Sequence, residues 1–195
     1  MAKRGSRRSK PKQACTAGNT LYRELHKAIQ LLDNEEYLEA RDSLKRLHQE
    51  YPENEAVLRK LIKACLEIKD DLGAQYALEQ LSKLAPDDRE IAISLATCYM
   101  CNLKMTLTLR LYRRFLERWP EDERAPQVEM VVAELEPLVF RYLREAGFTE
   151  DEFDELGALH DESRILMEYG RYAEGRRMAE ELIERKPKFP AARKT

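Results

Sequence analysis

The stretch that decides the fold runs from Pro52 to Pro86 and reads PENEAVLRKLIKACLEIKDDLGAQYALEQLSKLAP. Apolar residues in each half of it follow the i, i+3, i+4, i+7 spacing of one helix face. They are Leu58, Leu61, Ile62 and Cys65 in the first half, and Ala74, Ala77, Leu78 and Leu81 in the second. A polar break at residues 69–73 ends in Gly73. The stretch therefore predicts a helical hairpin with its turn at this break.

The same unit recurs with a period of 34 residues, marked by Pro52, Pro86 and Pro120. Four columns of side chains share this step: Ala28, Ile62 and Ala96; Leu31, Cys65 and Tyr99; Leu44, Leu78 and Tyr112; Leu47, Leu81 and Phe115. Acidic residues follow each proline, where they complement the positive end of a new helix. Because one hairpin cannot bury both of its apolar stripes, neighbouring hairpins must stack. The sequence therefore predicts an all-α fold, an α-solenoid of antiparallel helix hairpins.

The composition agrees with a helical protein and argues against two other classes. Of the 195 residues, 36% are charged, which is above the ~25% of an average globular protein and disfavours a β-sandwich. No stretch approaches the ~20 consecutive apolar residues of a membrane-spanning helix, and the basic N-terminus is not followed by the apolar core of a secretion signal. We expect a cytoplasmic protein whose four cysteines are reduced thiols.

The net charge of −2 is the sum of two unlike parts. Residues 1–12 carry +6 and no acid, which leaves −8 for the rest of the chain. The six cations are Lys3, Arg4, Arg7, Arg8, Lys10 and Lys12. Such a segment cannot form a packed core, so we expect residues 1–18 to be a basic disordered arm. Arms of this kind contact polyanions without sequence selectivity, and a nucleic-acid-associated adaptor anchored by the arm is one interpretation of the chain.

The 34-residue period, with proline and small residues at fixed positions, resembles the tetratricopeptide repeat family. Counted from Leu21, Glu55 and Arg89, the family positions 8, 20 and 32 hold Ala28, Ile62 and Ala96; Ala40, Ala74 and Thr108; and the three prolines. A further unit counted from Leu156 keeps the frame through the turn at Gly170 to Pro187. The resemblance implies a right-handed superhelix with three repeats in residues 19–122 and one in 156–189. An irregular helical unit in 123–155 and a truncated or frayed end at 190–195 complete this division.

In the irregular unit, Pro126 and Pro137 fall where the family has helix interior. We predict one helix over 124–136 and another over 138–146, ended by Gly147. Thr149 and Glu152 have the spacing of a capping box, and Phe148 and Phe153 that of a hydrophobic staple. A new helix should therefore begin near residue 150 and run, with a kink at Gly157, into the last repeat.

Members of the family bind peptides on the concave face lined by their first helices. The resemblance therefore implies a non-catalytic interaction module or scaffold with a protein or peptide partner. Positions 2, 5, 9 and 12 of each first helix face that groove. The candidate groove residues are Arg59, Lys63, Glu90, Thr97, Met100, His160 and Arg164. The cations among them are suited to pair with acidic groups of a ligand.

No catalytic or cofactor motif is present, and neither GxSxG nor GxGxxG nor GxxxxGK[ST] occurs. Cys98-Tyr99-Met100-Cys101 is a CxxC, but no second pair completes a zinc site. The pair also falls near the end of a predicted helix, where the helix dipole does not lower the pKa of a thiol. We predict no enzyme activity, no cofactor and no metal site, and we interpret Cys65 and Cys98 as packing residues.

The C-terminal residues Phe189-Pro190-Ala191-Ala192 are typical of the opening of another first helix, yet only Arg193, Lys194 and Thr195 follow. Met178, Leu182 and Ile183 of the preceding helix would then form an exposed apolar strip. We expect either self-association through this end or a chain shorter than its relatives.

Overall fold

The computed structural model describes residues 13–187 and Phe189, with side chains described from Thr20 onward. Regular structure in these residues is helical, and the predicted all-α solenoid class is confirmed. The chain divides into two compact units, one ending at Lys69 and one beginning at Asp70. No helix in this described part is long and apolar enough to cross a membrane. The six cations assigned to the basic arm lie outside the described residues.

The first unit contains α1 (Gln13–Asp33), α2 (Tyr37–Glu50) and α3 (Glu55–Glu67). Helix α2 packs against both α1 and α3. The core of the unit combines small residues with leucines: Ala28, Ala40, Ala64, Leu44, Leu58 and Leu61 are all buried. Ala28 and Ala40 stand at the predicted positions 8 and 20, where a methyl side chain lets two helices approach closely.

Helix α1 begins at Gln13, so residues 13–18, assigned to the arm from the sequence, are helical. This stretch contains Ala14 and Ala17, which have the highest helix propensity of any residue type. A helix that is already nucleated and packed further along the chain extends at lower cost than a new helix forms, and here it continues through Gly18.

The second unit contains α4 (Asp71–Leu84), α5 (Arg89–Cys101), α6 (Met105–Arg118), α7 (Ala125–Glu145), α8 (Phe153–Glu168) and α9 (Tyr172–Arg185). Helices α4 to α7 pack each against the next, whereas α8 packs mainly against α6 and α9. One apolar cluster, with Phe115 and Val128, joins α5, α6 and α7. A second cluster, with Leu109, Val139 and Leu182, joins α6, α7, α8 and α9. The second cluster therefore unites the irregular unit with the last hairpin.

The short connections between α1 and α2, α3 and α4, and α5 and α6 repeat in their backbone conformation. Glu35, Lys69 and Leu103, each 34 residues from the next, have φ values of 64°, 57° and 57°. Gly170 has φ 76° in the turn before α9, which agrees with the predicted glycine turn there. Side chains strongly disfavour this left-handed region, and glycine does not. The first three turns therefore carry a strain that the last turn lacks.

The turn between α3 and α4 is shorter than the predicted break at residues 69–73. Helix α4 begins at Asp71, and Gly73 lies in its first turn. The N–H of Gly73 donates to the Asp70 carboxylate at 2.9 Å. A Cβ atom on Gly73 would lie 2.4 Å from an Asp70 oxygen. The role of this glycine is therefore to make room for the capping carboxylate of Asp70, not to form the turn.

The starts of the first helices of the repeats are also periodic, because Asn54, Asp88 and Asp122 are again 34 residues apart. The Asn54 side chain accepts from the Val57 N–H at 3.0 Å, and that of Asp88 from the Glu90 N–H at 2.9 Å. Asp122 accepts from the Arg124 N–H at 3.0 Å just before α7 begins. Each side chain satisfies a backbone donor that the helix itself leaves unpaired.

The region predicted as two helices, 124–136 and 138–146, is the single helix α7 with Pro137 in its interior. An interior proline costs about 3 kcal/mol or more. Packing outweighs this cost, since Val128 anchors one half while Val139 and Leu143 anchor the other, and each buried side chain contributes about 1.5–3 kcal/mol. The predicted end is confirmed, because Gly147 follows the helix with φ 88°.

The start of the last helical pair agrees with the sequence. A 3₁₀ turn at Glu150–Glu152 precedes α8, and Thr149 and Glu152 form the predicted capping box, with the Thr149 N–H 2.8 Å from the Glu152 carboxylate. Phe148 and Phe153 are buried in one cluster. Gly157 lies within α8, where a Cβ atom would be 2.6 Å from the Thr106 hydroxyl oxygen. The glycine therefore permits close packing of α8 on α6.

The predicted exposed strip on α9 is wrong. Leu182 is fully buried, and Met178 and Ile183 are partly buried, because α9 packs along α8. Phe189 is buried as well, with its ring centroid 4.9 Å from that of Phe148 and 5.1 Å from that of His160. The apolar surface of α9 therefore gives no reason to expect self-association.

Candidate functional site

In the first unit, the predicted groove positions of α3 form one exposed face. Ala56, Arg59, Lys63 and Leu66 are all exposed, Leu66 by 56%. Their spacing of three, four and three residues places them on the same side of the helix. The Arg59 guanidinium lies 3.8 Å from the Glu55 carboxylate, an exposed pair of little energetic weight.

In the second unit, two of the candidates on α5 contact polar side chains of neighbouring segments, and the third is partly buried. Glu90 accepts from the Arg124 guanidinium at 2.7 Å, and the Thr97 hydroxyl lies 3.1 Å from that of Tyr112. Met100 is partly buried. Glu90 and Thr97 therefore already have polar partners within the unit.

The candidates on α8, His160 and Arg164, come together at one cavity. His160 is buried, and desolvation lowers the pKa of its imidazole to about 4, with Arg164 and Lys104 adding repulsion. It is therefore neutral near pH 7. The Arg164 guanidinium donates to the Leu103 carbonyl oxygen at 3.0 Å. Glu90 and Thr97, whose polar partners lie near α7 and on α6, do not share this cavity.

The cavity lies between the start of α6, the second half of α7 and α8, and its volume is about 350 Å³. Its walls are apolar, with Met105 from α6 and Leu135, Leu138, Val139, Tyr142 and Leu143 from α7. His160, Asp161 and Arg164 form its polar end. Concave sites with apolar walls and a few convergent polar groups are the usual form of a binding pocket.

Asp161 at the polar end and Lys104, which precedes the lining residue Met105, are buried groups that the sequence did not predict as site residues. The Asp161 carboxylate accepts from the backbone N–H groups of Thr106 and Leu107 at 2.9 and 3.2 Å, and so caps α6 from another helix. Burial raises the pKa of Asp161 to about 6, against the opposing effect of these two donors. Lys104 is fully buried and donates to Glu168 at 2.5 Å.

A second buried polar group ties α4 and α5 to the end of α8. Gln75 donates to Glu79 at 3.1 Å and to the Tyr169 hydroxyl at 2.9 Å, while Tyr99 donates to Glu79 at 3.1 Å. Asn102 donates to the Gln75 carbonyl oxygen at 2.7 Å. Desolvation raises the pKa of Glu79 although these donors oppose it. Because the group satisfies itself, we interpret it as structural.

The cysteines fit the packing interpretation better than a redox one. Cys65 and Cys98 are buried, while Cys101 is exposed. Burial raises the pKa of the Cys98 thiol to about 12, which disfavours the reactive thiolate. The Cys98 thiol donates to the Asp71 carbonyl oxygen at 3.6 Å. Among the residues with described side chains, no group of three or more His, Cys, Asp or Glu could hold a metal ion.

Paired helices with a 34-residue period, capped starts and left-handed turns define a helical-repeat protein of the solenoid class. Residues 31–98 match the family described as tetratricopeptide repeat, which supports repeats of this kind in that part of the chain. Tetratricopeptide repeats generally mediate protein–protein interaction, and proteins built from them are typically non-catalytic scaffolds.

Two solved structures are similar to the chain, both of nearly identical TPR-like repeats from a Podosopora anserina protein assigned as a kinesin light chain. The first, a point variant, has 16% sequence identity and a TM-score of 0.43, and the match covers 84% of this chain and 92% of that chain. The second has 17% identity and a TM-score of 0.42, with coverage of 84% and 93%. No curated protein matches the chain.

Proposed function

We propose that the chain binds an acidic segment of a partner protein on the exposed face of its first helices and performs no chemistry on it. One observation carries the proposal: all four groove positions of α3, namely Ala56, Arg59, Lys63 and Leu66, are exposed. An apolar residue beside two cations suits a ligand that carries both carboxylates and apolar side chains.

The energetic balance favours exchange of the existing ion pair for a ligand. An exposed pair such as Arg59 and Glu55 contributes about 0–1 kcal/mol. A carboxylate that binds across Arg59 and Lys63 gains charge-assisted hydrogen bonds, and covering Leu66 adds apolar burial. Binding therefore replaces a weak contact with stronger ones.

The test compares the proteins captured by the intact chain with those captured by the double variant Arg59→Glu and Lys63→Glu. Quantitative mass spectrometry should show a set of captured proteins that is lost with this variant. The matched control is Lys45→Glu with Arg46→Glu, which makes the same charge change on exposed residues of α2. An identical set of partners for all three proteins would contradict the proposal.

A second candidate function rests on the six cations in residues 1–12. We propose that these residues anchor the chain to nucleic acid while the repeats recruit partners. The contact should be electrostatic, so its affinity should fall steeply as salt rises. Filter binding of RNA and DNA by the full chain and by a chain lacking residues 1–12 tests this. Equal retention of nucleic acid by both chains at low salt would rule it out.

A further inference from the structure

We propose that the cavity between α6, α7 and α8 receives a large aromatic or aliphatic side chain of a partner peptide, while an acidic residue beside that side chain pairs with Arg164. The proposal rests on the proposed function, because it takes the ligand to be a segment of a partner protein. It adds a pocket with its own specificity and assigns that pocket to the second unit.

The size and the walls of the cavity fit a large apolar side chain. Its volume is about 350 Å³, close to the roughly 320 and 370 Å³ of the clefts beside Met178 and Tyr51, so its apolar walls rather than its size set it apart. Met105 and the apolar residues of α7 form the walls. Burying a Leu or Phe side chain in such a site contributes about 1.5–3 kcal/mol.

The mouth of the cavity is marked by large apolar side chains that the fold leaves exposed. Leu103 is 61% exposed, Leu138 54% and Tyr142 50%. All three line this one cavity. Exposed apolar side chains that gather at a concave site indicate a binding surface, whereas scattered ones need no explanation.

Two of the lining rings already contact an aromatic side chain of the chain itself. The ring of Phe189 packs edge-on against His160 and Tyr142, with centroid distances of 5.1 and 6.4 Å. Edge-to-face contacts of this kind add about 0.5–1.5 kcal/mol to the burial of area. The cavity side of the same residues is therefore suited to another aromatic ring.

The charge at the polar end selects an acidic neighbour. Asp161 is 4% exposed and its carboxylate is used by two N–H groups of α6, while His160 is neutral near pH 7. Arg164 makes one hydrogen bond, to Leu103, and no carboxylate in the part of the chain with described side chains lies within 4.0 Å of it. A guanidinium has five N–H donors, so Arg164 keeps donors for a carboxylate.

The experiment measures binding of two matched probes to the full chain by two-dimensional NMR. The probes are N-acetyl-Phe-Glu-amide and N-acetyl-Phe-Gln-amide, which differ only in the charged group. We expect shift changes at the cavity-lining residues and at least about fivefold tighter binding of the Glu probe, since a charge-assisted hydrogen bond is about twice as strong as a neutral one.

Three variants make the test specific. Arg164→Gln should bind both probes equally, whereas Arg141→Gln, which removes an exposed cation of α7 outside the cavity, should keep the preference for the Glu probe. Leu138→Gln should weaken both probes. Equal binding of the two probes by the unaltered chain, an unchanged preference in Arg164→Gln, shifts confined to residues outside the cavity, or no binding of either probe would overturn the proposal.

Failure of this proposal and failure of the proposed function are distinguishable. Arg59 and Lys63 belong to the first unit, so their charge reversal should leave binding of both probes unchanged. Loss of probe binding in that double variant would instead contradict an independent pocket. Absence of probe binding by the unaltered chain would leave the partner-capture experiment on α3 unaffected.

Discussion

The first three connections between successive helices and the connection before α9 meet the same geometric requirement with different residues. Glu35, Lys69 and Leu103 adopt the left-handed conformation with a side chain, whereas Gly170 adopts it without one. The two regions differ again at the end of the repeat. Asn54 and Asp88 cap the next helix, but the equivalent position of the last repeat is Phe189, which buries its ring.

The difference shows which parts of a repeat are dictated by helix pairing and which are open to substitution. The left-handed residue is kept at each of these four turns because a short connection between successive helices needs it, whatever side chain is present. The cap position is less constrained. The equivalent residue accepts a backbone hydrogen bond in one repeat, as Asn54 does, and is a buried apolar residue in another, as Phe189 is. Stability in the α8–α9 region therefore depends more on burial than on capping.

The largest expected effect comes from removing Phe189. Phe189→Ala should destabilise the second unit by about 3–5 kcal/mol, because a buried ring is replaced by a cavity next to Phe148 and His160. Urea unfolding followed by tryptophan fluorescence measures it, since the single tryptophan, Trp119, lies in this unit. Phe189→Leu is the control and should lose much less. A cost below that of removing a helix cap would contradict the importance given to burial here.

The periodic part of the fold could be predicted from the sequence because its signals are local. Prolines 34 residues apart and apolar columns in phase predict paired helices without knowledge of distant contacts. The cap residues Asn54 and Asp88 also carry a local signal, because each stands two positions after a repeat proline. Pro137 was misleading because its local preference to end a helix is overcome by packing at both halves of α7.

The cavity could be predicted only in part. The family frame pointed to His160 and Arg164, which do line it. Asp161 could not be found in this way, because it caps Thr106 from 55 residues away and no periodic signal links the two. Lys104 lies in a turn, where a lysine is normally solvated, yet it is fully buried beside Glu168.

The next effect concerns pH, because folding shifts the pKa values of His160 and Asp161 in opposite directions. The pKa of His160 falls to about 4, so the unfolded state binds more protons between about pH 4 and 6.5, and this contribution to stability is lost as pH falls. The pKa of Asp161 rises to about 6, so its contribution is lost as pH rises from about 4 to 6. Between about pH 4 and 6 the two effects should nearly cancel.

Single substitutions should reveal the cancelled effects. Relative to the unaltered chain, His160→Gln should become less stable as pH rises from 4 to 6, and Asp161→Asn less stable as pH falls, each by at most about 1.4 kcal/mol per pH unit. Urea unfolding at several pH values measures both slopes. The double variant should return to the slope of the unaltered chain. If stability changed with pH in the same direction in the two single variants, the opposite pKa shifts of His160 and Asp161 would be refuted.

A smaller effect is expected at the helix caps. Asp88→Ala should cost about 1 kcal/mol, because the N–H groups of Glu90 and Ile91 lose their acceptor. Thermal unfolding followed by Trp119 fluorescence measures the change. Glu121→Ala removes the same charge from an exposed residue outside a cap and is the matched control. If both variants lost equal stability, the cost would reflect charge rather than capping.

The smallest effect tests the turns. Leu103→Gly should stabilise the second unit by less than about 1 kcal/mol, because relief of a left-handed side chain, worth about 1–2 kcal/mol, exceeds the added chain entropy of glycine, about 0.5–1 kcal/mol. Gly170→Ala should destabilise it by a similar amount, and since no atom lies within 4 Å of the added Cβ, the cost would come from the backbone alone. Leu103→Ala separates loss of the leucine side chain from relief of the backbone and should not stabilise. Urea unfolding measures both changes in stability. Opposite signs for Leu103→Gly and Gly170→Ala would support backbone strain as the difference between the two turns. A loss of stability in both variants would mean that the Leu103 side chain contributes more than its left-handed conformation costs.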